Sequence, residues 1–291
     1  MMSTTYGVCD EYSRLQRVLV RRPGPEFADM EEYGKWGYPG APDLSQAQRE
    51  HDEFTDILRR EGVEVIYQEE VHPKKREPLF THDASIMTPK GAIICHSGHP
   101  LRRGEGEYAA RAFTSLGIPI LFTVHGDATI DGGDTLWLDP DTFLIGHSYR
   151  TNHEAYRQIK AVIEGFVAER VIQIPLPHYR GQDHVLHLMS VISPVDRDLA
   201  VVYPKLAPIV LLELLEERGI QTIEVPDEEF DSLGPNVLAI GPRTVVVHAG
   251  NPVTKERLLE HGCRVYEYHG EQISLIPSGG PTCLTRPILR D

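Results

Sequence analysis

Apolar positions along the 291-residue chain fall into two rhythms that alternate in a fixed order. One has the three-to-four-residue spacing of a helix with a single buried face; the other is a short run of β-branched and aliphatic residues of strand length. Four segments join the first rhythm to the second through a glycine: "DILRREGVEVIY" (56–67), "AFTSLGIPILF" (112–122), "LLEERGIQTIEV" (214–225) and "LLEHGCRVYEY" (258–268). Gly62, Gly117, Gly219 and Gly262 thus stand where a helix closes on a left-handed residue. A fifth segment, "VAERVIQIPL" (167–176), keeps the order and lacks the glycine.

Between these helix–strand units lie pairs of β-rich runs around a turn: "SIMTPKGAIICHS", "TLWLDPDTFLIGHS", "SVISPVDRDLAVVYP" and "NVLAIGPRTVVVHAG". Their centres carry the proline and aspartate that hairpin turns favour. The N-terminal "RLQRVLVRRPG" and a helix from about Ser45 to Arg60 begin a fifth unit, and "QISLIP" (272–277) is the expected strand that completes its sheet. Units of roughly 45 to 55 residues that cannot bury their apolar faces alone do so by packing around a ring. The pattern therefore predicts one closed α/β domain spanning residues 1–291, against an ordinary α/β sandwich with coincidental regularity.

Composition narrows the partners. With 29 Lys and Arg against 43 Asp and Glu, the formal charge is −14, which disfavours nucleic acid and anionic membrane and favours a cationic small molecule. Met1 is followed by polar residues, and no apolar run reaches the roughly 18 residues that span a bilayer, so a cytoplasmic protein is expected. Cys9, Cys95, Cys263 and Cys283 show no paired spacing and read as free thiols. A homodimer stays open.

A ring brings distant residues to one centre, and polar residues recur at equivalent ends of the units. "FTHDASI" offers His82 and Asp83, "TIDGGDTLW" offers Asp131 and Asp134, "VLHLMSVIS" offers His187, and "GGPTC" offers Cys283. Each has an ordinary explanation. A buried cysteine is usually a small hydrophobe, a histidine in an apolar strand is usually a satisfied core group, and DGGD reads as a turn. What they gain as a set is a nucleophile, a base and acids at one place. No histidine spacing suits a metal, and no cofactor is called for.

The ordered motifs "FTHD", "LRRGE", "DGGD", "YRTN", "LHLMS" and "GGPTC" resemble the guanidine-modifying superfamily of dimethylarginine dimethylaminohydrolases, arginine deiminases and amidinotransferases, over nearly the whole chain from about Val18 to Arg286. The resemblance implies a five-bladed α/β propeller (pentein) with pseudo-fivefold symmetry. It implies Cys283 as nucleophile and His187 as general acid and base. Asp131 would orient the histidine, with Asp134 as the competing candidate for that role, and Asp83 would hold the substrate guanidinium. Arg102 and Arg150 would take a substrate carboxylate, and Glu77 and His82 would stand beside the substrate. A guanidinium stays protonated near neutral pH and its carbon is a poor electrophile, so carboxylates must fix its plane and a thiolate must attack it. The glycines before Cys283 are expected to let the backbone pass close to the substrate.

Departures from the family pattern set the expected reaction. Arginine deiminases carry an aspartate two residues after the catalytic histidine, where this chain has Met189. Dimethylarginine hydrolases have a non-acidic residue there, and an acid six residues before the binding aspartate, matched by Glu77. They differ in having glutamate where Asp131 stands and an acid in place of His82, while aspartate at position 131 is reminiscent of amidinotransferases. Hydrolysis of a methylated arginine to citrulline and an amine is the leading expectation. Arginine deimination, amidino transfer, a non-catalytic binder of arginine derivatives and a ribosome-associated factor are the alternatives, the last opposed by the acidic charge.

Overall fold

The computed structural model describes residues 5–28, 33, 38–69, 79–182 and 184–291. Glu77 lies outside them. Five three-stranded sheets carry the fold, and each repeats one plan: a first strand antiparallel to a second, which runs parallel to a third. The first blade opens with β1 (Leu15–Val20), passes through a short α1 (Pro25–Ala28) and the long α2 (Leu44–Arg60), and lays β2 (Glu64–Tyr67) parallel to β1. The second is β3 (Ser85–Thr88), β4 (Gly91–Ile94), α3 (Glu105–Ser115) and β5 (Ile120–Thr123); the third is β6 (Thr135–Asp139), β7 (Thr142–His147), α4 (His153–Ile163) and β8 (Arg170–Pro175). The fourth comprises β9 (Ile192–Asp196), β10 (Leu199–Val202), α5 (Ile209–Glu217) and β11 (Gln221–Glu224), and the fifth β12 (Leu238–Gly241), β13 (Thr244–His248), α6 (Pro252–Glu260) and β14 (Arg264–Tyr268).

The four hairpins read from the sequence are present, as are the helix-closing glycines: φ is 83° at Gly62, 72° at Gly117, 65° at Gly219 and 75° at Gly262. The fifth unit also has its left-handed glycine. Gly165, with φ 76°, follows α4 at a greater distance from the strand than its counterparts. Helix starts are as local, since Asp43 accepts from the N–H of Gln46 at 2.8 Å and Asn152 from that of Ala155 at 3.0 Å.

Closure of the ring differs from the sequence expectation. The strand that completes the first sheet is β15 (Thr285–Arg290), antiparallel to β1, with Val18 opposite Pro287 and Val20 opposite Thr285. "QISLIP" instead lies in a helical turn, Glu271–Leu275. The reason is Glu50 on α2, buried beneath this turn, whose Oε2 accepts from the N–H groups of Gln272 at 2.8 Å and Ile273 at 3.1 Å. Those amides would have been ladder donors in a strand. The chain thus joins its two ends in one sheet, and the closing strand follows directly on Cys283.

Apolar packing is shared between neighbours. Ile93 and Phe113 of the second blade meet Trp137, Phe143 and Ile159 of the third in one buried cluster. Among the first strands, β12 packs on β9 and β15 on β3, so these strands line the centre. All four cysteines are free, and among the described residues no helix is long and apolar enough to cross a membrane.

The capture of the 271–275 turn by Glu50 is open to test. Glu50→Ala should lower the unfolding free energy by about 1–3 kcal/mol, the worth of leaving buried donors unpaired, read from a urea titration. An unchanged midpoint would mean that the turn stands without it.

Candidate active site

Each blade leads into its first strand with polar residues that face the centre. His82 and Asp83 precede β3, Asp131 and Asp134 precede β6, His187 precedes β9, Asn236 precedes β12, and Cys283 precedes β15. The sequence expectation that these segments meet is met for Asp83, Asp131 and His187. Asp83 is buried; its Oδ2 accepts from Arg102 Nη1 at 2.5 Å and its Oδ1 from the Gly133 N–H at 3.0 Å. His187 Nδ1 is 3.8 Å from Asp83 Oδ1, and His187 Nε2 is 3.4 Å from Asp131 Oδ2. The imidazole is therefore held between two carboxylates. Asp131 Oδ2 also accepts from Arg150 Nη1 at 3.3 Å, while its Oδ1 is buried with no hydrogen-bond partner.

Asp134 does something else. Its Oδ1 accepts from the Leu188 N–H at 3.0 Å and its Oδ2 from the Ser148 hydroxyl at 2.5 Å, which fixes the backbone just after His187. Of the two acids, Asp131 meets the ring and Asp134 the turn that carries it. The glycines between them allow close approach without unusual backbone, since neither has a positive φ. A Cβ on Gly133 would lie 2.5 Å from His187 Nδ1 and 2.9 Å from Asp83 Oδ1, and one on Gly132 would collide with the His82 carbonyl.

Charge in this enclosed place is set by the neighbours. Burial opposes a charge on His187, but Asp83, Asp134 and Asp131 outweigh it and push the imidazole up to about 9. Burial likewise opposes ionisation of Asp83, yet Arg102 and His187 hold its carboxyl well below the usual range. Asp131 is held low in the same way, against burial, first by its hydrogen bond to His187. The Cys283 thiol moves the other way. Burial and then Asp83 push it up to about 12, with the Gly280 backbone, Thr282 and Arg102 acting in the thiolate's favour.

Cys283 is half-buried, with Asn236 Nδ2 at 3.7 Å from its sulfur. The glycines before it make room for protein groups: a Cβ on Gly279 would run into the Phe80 ring, and one on Gly280 into the Asn236 amide. The expectation that they clear space for a substrate is thereby replaced by a packing reason.

Two expected contacts take a different form. Arg102, expected on a substrate carboxylate, is buried with its guanidinium on Asp83 and on Glu105, whose Oε2 accepts from Nε at 3.0 Å and Nη2 at 2.8 Å. Two buried acids demand a buried cation, and Arg102 supplies it. His82, expected beside the substrate, pairs its Nδ1 with the Thr285 carbonyl at 2.8 Å. Burial and the nearby Arg286 keep it neutral, so it ties the second blade to the closing strand. Besides touching Asp131, Arg150 lines a cavity of about 330 Å³ with His147, Tyr149, His178 and His184, and among the described residues no Asp or Glu lines that cavity. Met189 is buried and borders a narrow void shared with Glu11 and Thr282.

Sequence reasoning missed Asn236 and Glu105. The signal for Asn236 was the repeat itself, because "PNVLAIG" occupies in the fifth blade the place that "HDASIM" occupies in the second.

Comparison with known proteins agrees with this architecture. A dimethylarginine dimethylaminohydrolase of Pseudomonas aeruginosa is 27% identical over 249 residues, covering 84% of this chain and 90% of its own. An arginine deiminase of Rhodococcus opacus is 24% identical, covering 99% of this chain and 98% of its own. The solved structure of the P. aeruginosa dimethylarginine dimethylaminohydrolase, a mutant complexed with citrulline, superposes with a TM-score of 0.77 at 24% identity over 96% of this chain and 100% of that one. The model for the family described as "N,N dimethylarginine dimethylhydrolase, eukaryotic" matches residues 35–290, and the chain belongs to that family, within the guanidine-modifying superfamily and its five-bladed propeller fold.

Proposed function

We propose that the protein hydrolyses the guanidinium C–N bond of an N-substituted arginine, through a covalent intermediate on Cys283, to citrulline and an amine. The observation that carries this reading is the unpartnered, buried Oδ1 of Asp131, in a cluster with Asp83 and an imidazole pushed up to about 9, to which the free thiol of Cys283 is near enough for the Asp83 charge to act on it. An acceptor without a donor in such a place suits a cationic N–H group from outside. In this reading the substrate guanidinium pairs with Asp83 and with the free Oδ1 of Asp131, and the Arg150 side of the cavity receives the carboxylate. Arg102 would join it only by leaving Asp83 and Glu105, so in this reading its first role is to hold Asp83 ionised.

The cation favours the thiolate that burial disfavours. Cys283 Sγ attacks the guanidinium carbon, and the C–N π electrons move to nitrogen. His187, protonated, gives its proton to the leaving nitrogen; the C–N bond breaks, the amine departs and a thiouronium remains. His187, now neutral, takes a proton from water, hydroxide adds to the same carbon, and the collapsing adduct expels the thiolate, releases its hydroxyl proton to solvent and leaves the ureido group. Asp131 and Asp83, ionised and paired with the cation, keep the imidazole in place through both halves.

Deimination of unsubstituted arginine is the second reading, favoured by the relatives that bear the name arginine deiminase. Met189 weighs against it. A thioether offers no acceptor comparable to a carboxylate for a bare NH2.

Cys283→Ser is expected to abolish turnover with the fold intact, because the hydroxyl is a far weaker nucleophile at neutral pH; activity retained by this variant would remove Cys283 from the chemistry. The pH profile is fixed by the same groups. The transition state holds thiolate and imidazolium, one proton fewer than the resting thiol–imidazolium pair. Hence kcat/KM should climb through neutral pH and bend near 9, where His187 loses its proton. A profile that is level from pH 6 to 8 contradicts this.

Substrate choice tests the reading of Met189. Methylated arginine should exceed arginine in kcat/KM by about tenfold or more, the discrimination that one or two buried methyl groups supply, and Met189→Asp should move the preference toward arginine. Arginine as the better substrate of the unaltered protein would transfer the assignment to deimination, and product formed only with an acceptor amine would transfer it to amidino transfer.

A further inference from the structure

The pseudo-fivefold plan leaves one blade without an assigned part, because Asp83, Asp131, His187 and Cys283 come from the entries to β3, β6, β9 and β15. The entry to β12 brings Asn236, buried at 5% exposure. Its Oδ1 accepts from the Thr282 N–H at 3.1 Å and from the Thr282 hydroxyl at 2.8 Å. Those two donors fix the orientation of the amide, since a flipped side chain would point its NH2 at the Thr282 N–H. The NH2 is thereby directed at Cys283 Sγ, 3.7 Å away, and at the Met189 carbonyl at 3.5 Å. Gly280 is required for this approach, since a side chain there would occupy the amide's place. One side chain thus grips the residue before the nucleophile, touches the nucleophile itself and reaches the segment two residues beyond His187.

We propose that Asn236 is a fifth member of the catalytic set: its amide N–H hydrogen-bonds the Cys283 sulfur as thiolate, both in the attacking form and in the form expelled when the intermediate breaks down. The inference rests on Cys283 being the nucleophile. A neutral donor is suited to the position. A lysine or arginine there would compete with the substrate cation for Asp83 and Asp131, whereas an amide lends a hydrogen bond to sulfur without a charge. The contact to Met189 holds the nucleophile's segment in register with the one that carries His187.

The test compares Asn236→Asp and Asn236→Ala with the unaltered protein, using the rate at which iodoacetamide alkylates Cys283 between pH 7 and 10, followed on the Cys283 peptide by mass spectrometry with Cys9 as internal reference, alongside kcat/KM for methylated arginine. Asn236→Asp keeps the acceptor for Thr282 and the shape of the site but removes the donor. Alkylation of Cys283 and kcat/KM should both fall about tenfold to hundredfold, the worth of one hydrogen bond to a charged group, with Cys9 unaffected. Asn236→Ala should show the same loss in direction, without the added carboxylate. If Asn236 only braces Thr282, the Ala variant, which brings no charge, should alkylate Cys283 at the rate of the unaltered protein across pH 7 to 10, and that result overturns the proposal. Failure of the underlying reading is distinguishable: Cys283→Ser would then remain active whatever the alkylation rates of the Asn236 variants.

Discussion

The constraint on which this structure depends is that two carboxylates, Asp83 and Asp131, are kept ionised in a place from which water is largely excluded. Burial alone would protonate Asp83 and Asp131. Arg102 answers this for Asp83, at 2.5 Å, and His187 and Arg150 answer it for Asp131, at 3.4 and 3.3 Å. The same arrangement raises His187, and burial first and the Asp83 charge second raise Cys283. In the proposed reaction the resting thiol and the imidazolium both follow from the demand for a cation site, and the arriving cation relieves the cost of ionising the sulfur. The pairing of a weakly ionised nucleophile with a fully charged acid is thus one electrostatic fact seen from two residues.

The propeller makes such a cluster affordable in stability. Each blade buries its apolar surface against its neighbours, as Trp137 and Phe143 do against Ile93 and Phe113, so the polar centre can be assembled at strand entries outside those clusters. The closing strand β15 matters most here, since it couples Cys283 to the sheet that opened the chain. Glu50, from the first blade's long helix, holds the turn that leads to it. The glycines of "DGGD" and "GGPTC" serve the same end by letting segments from different blades touch.

Much of this was legible in the sequence, because helix spacing, hairpin turns and left-handed glycines are local signals. Gly62, Gly117, Gly219 and Gly262 fell where helices end, and Asp83, Asp131, His187 and Cys283 fell at equivalent entries. What escaped depended on tertiary partners. "QISLIP" has the apolar content of a strand, and only the buried Glu50 makes it a helical turn. Arg102 and His82 looked available to a substrate until burial against Asp83, Glu105 and the Thr285 carbonyl engaged them. Asn236 sits in "GPN", which reads as a turn, and its contact with a cysteine 47 positions away has no local trace.

The central claim, a covalent intermediate on Cys283 formed with loss of the substituted amine, is tested most directly by acid-quenching the enzyme within its first turnovers on a methylated arginine and weighing the Cys283 peptide. The account predicts a peptide that has gained the amino-acid tail and the amidino carbon and has lost the methylated nitrogen. An unmodified Cys283 throughout turnover, or an adduct on another residue, would contradict it.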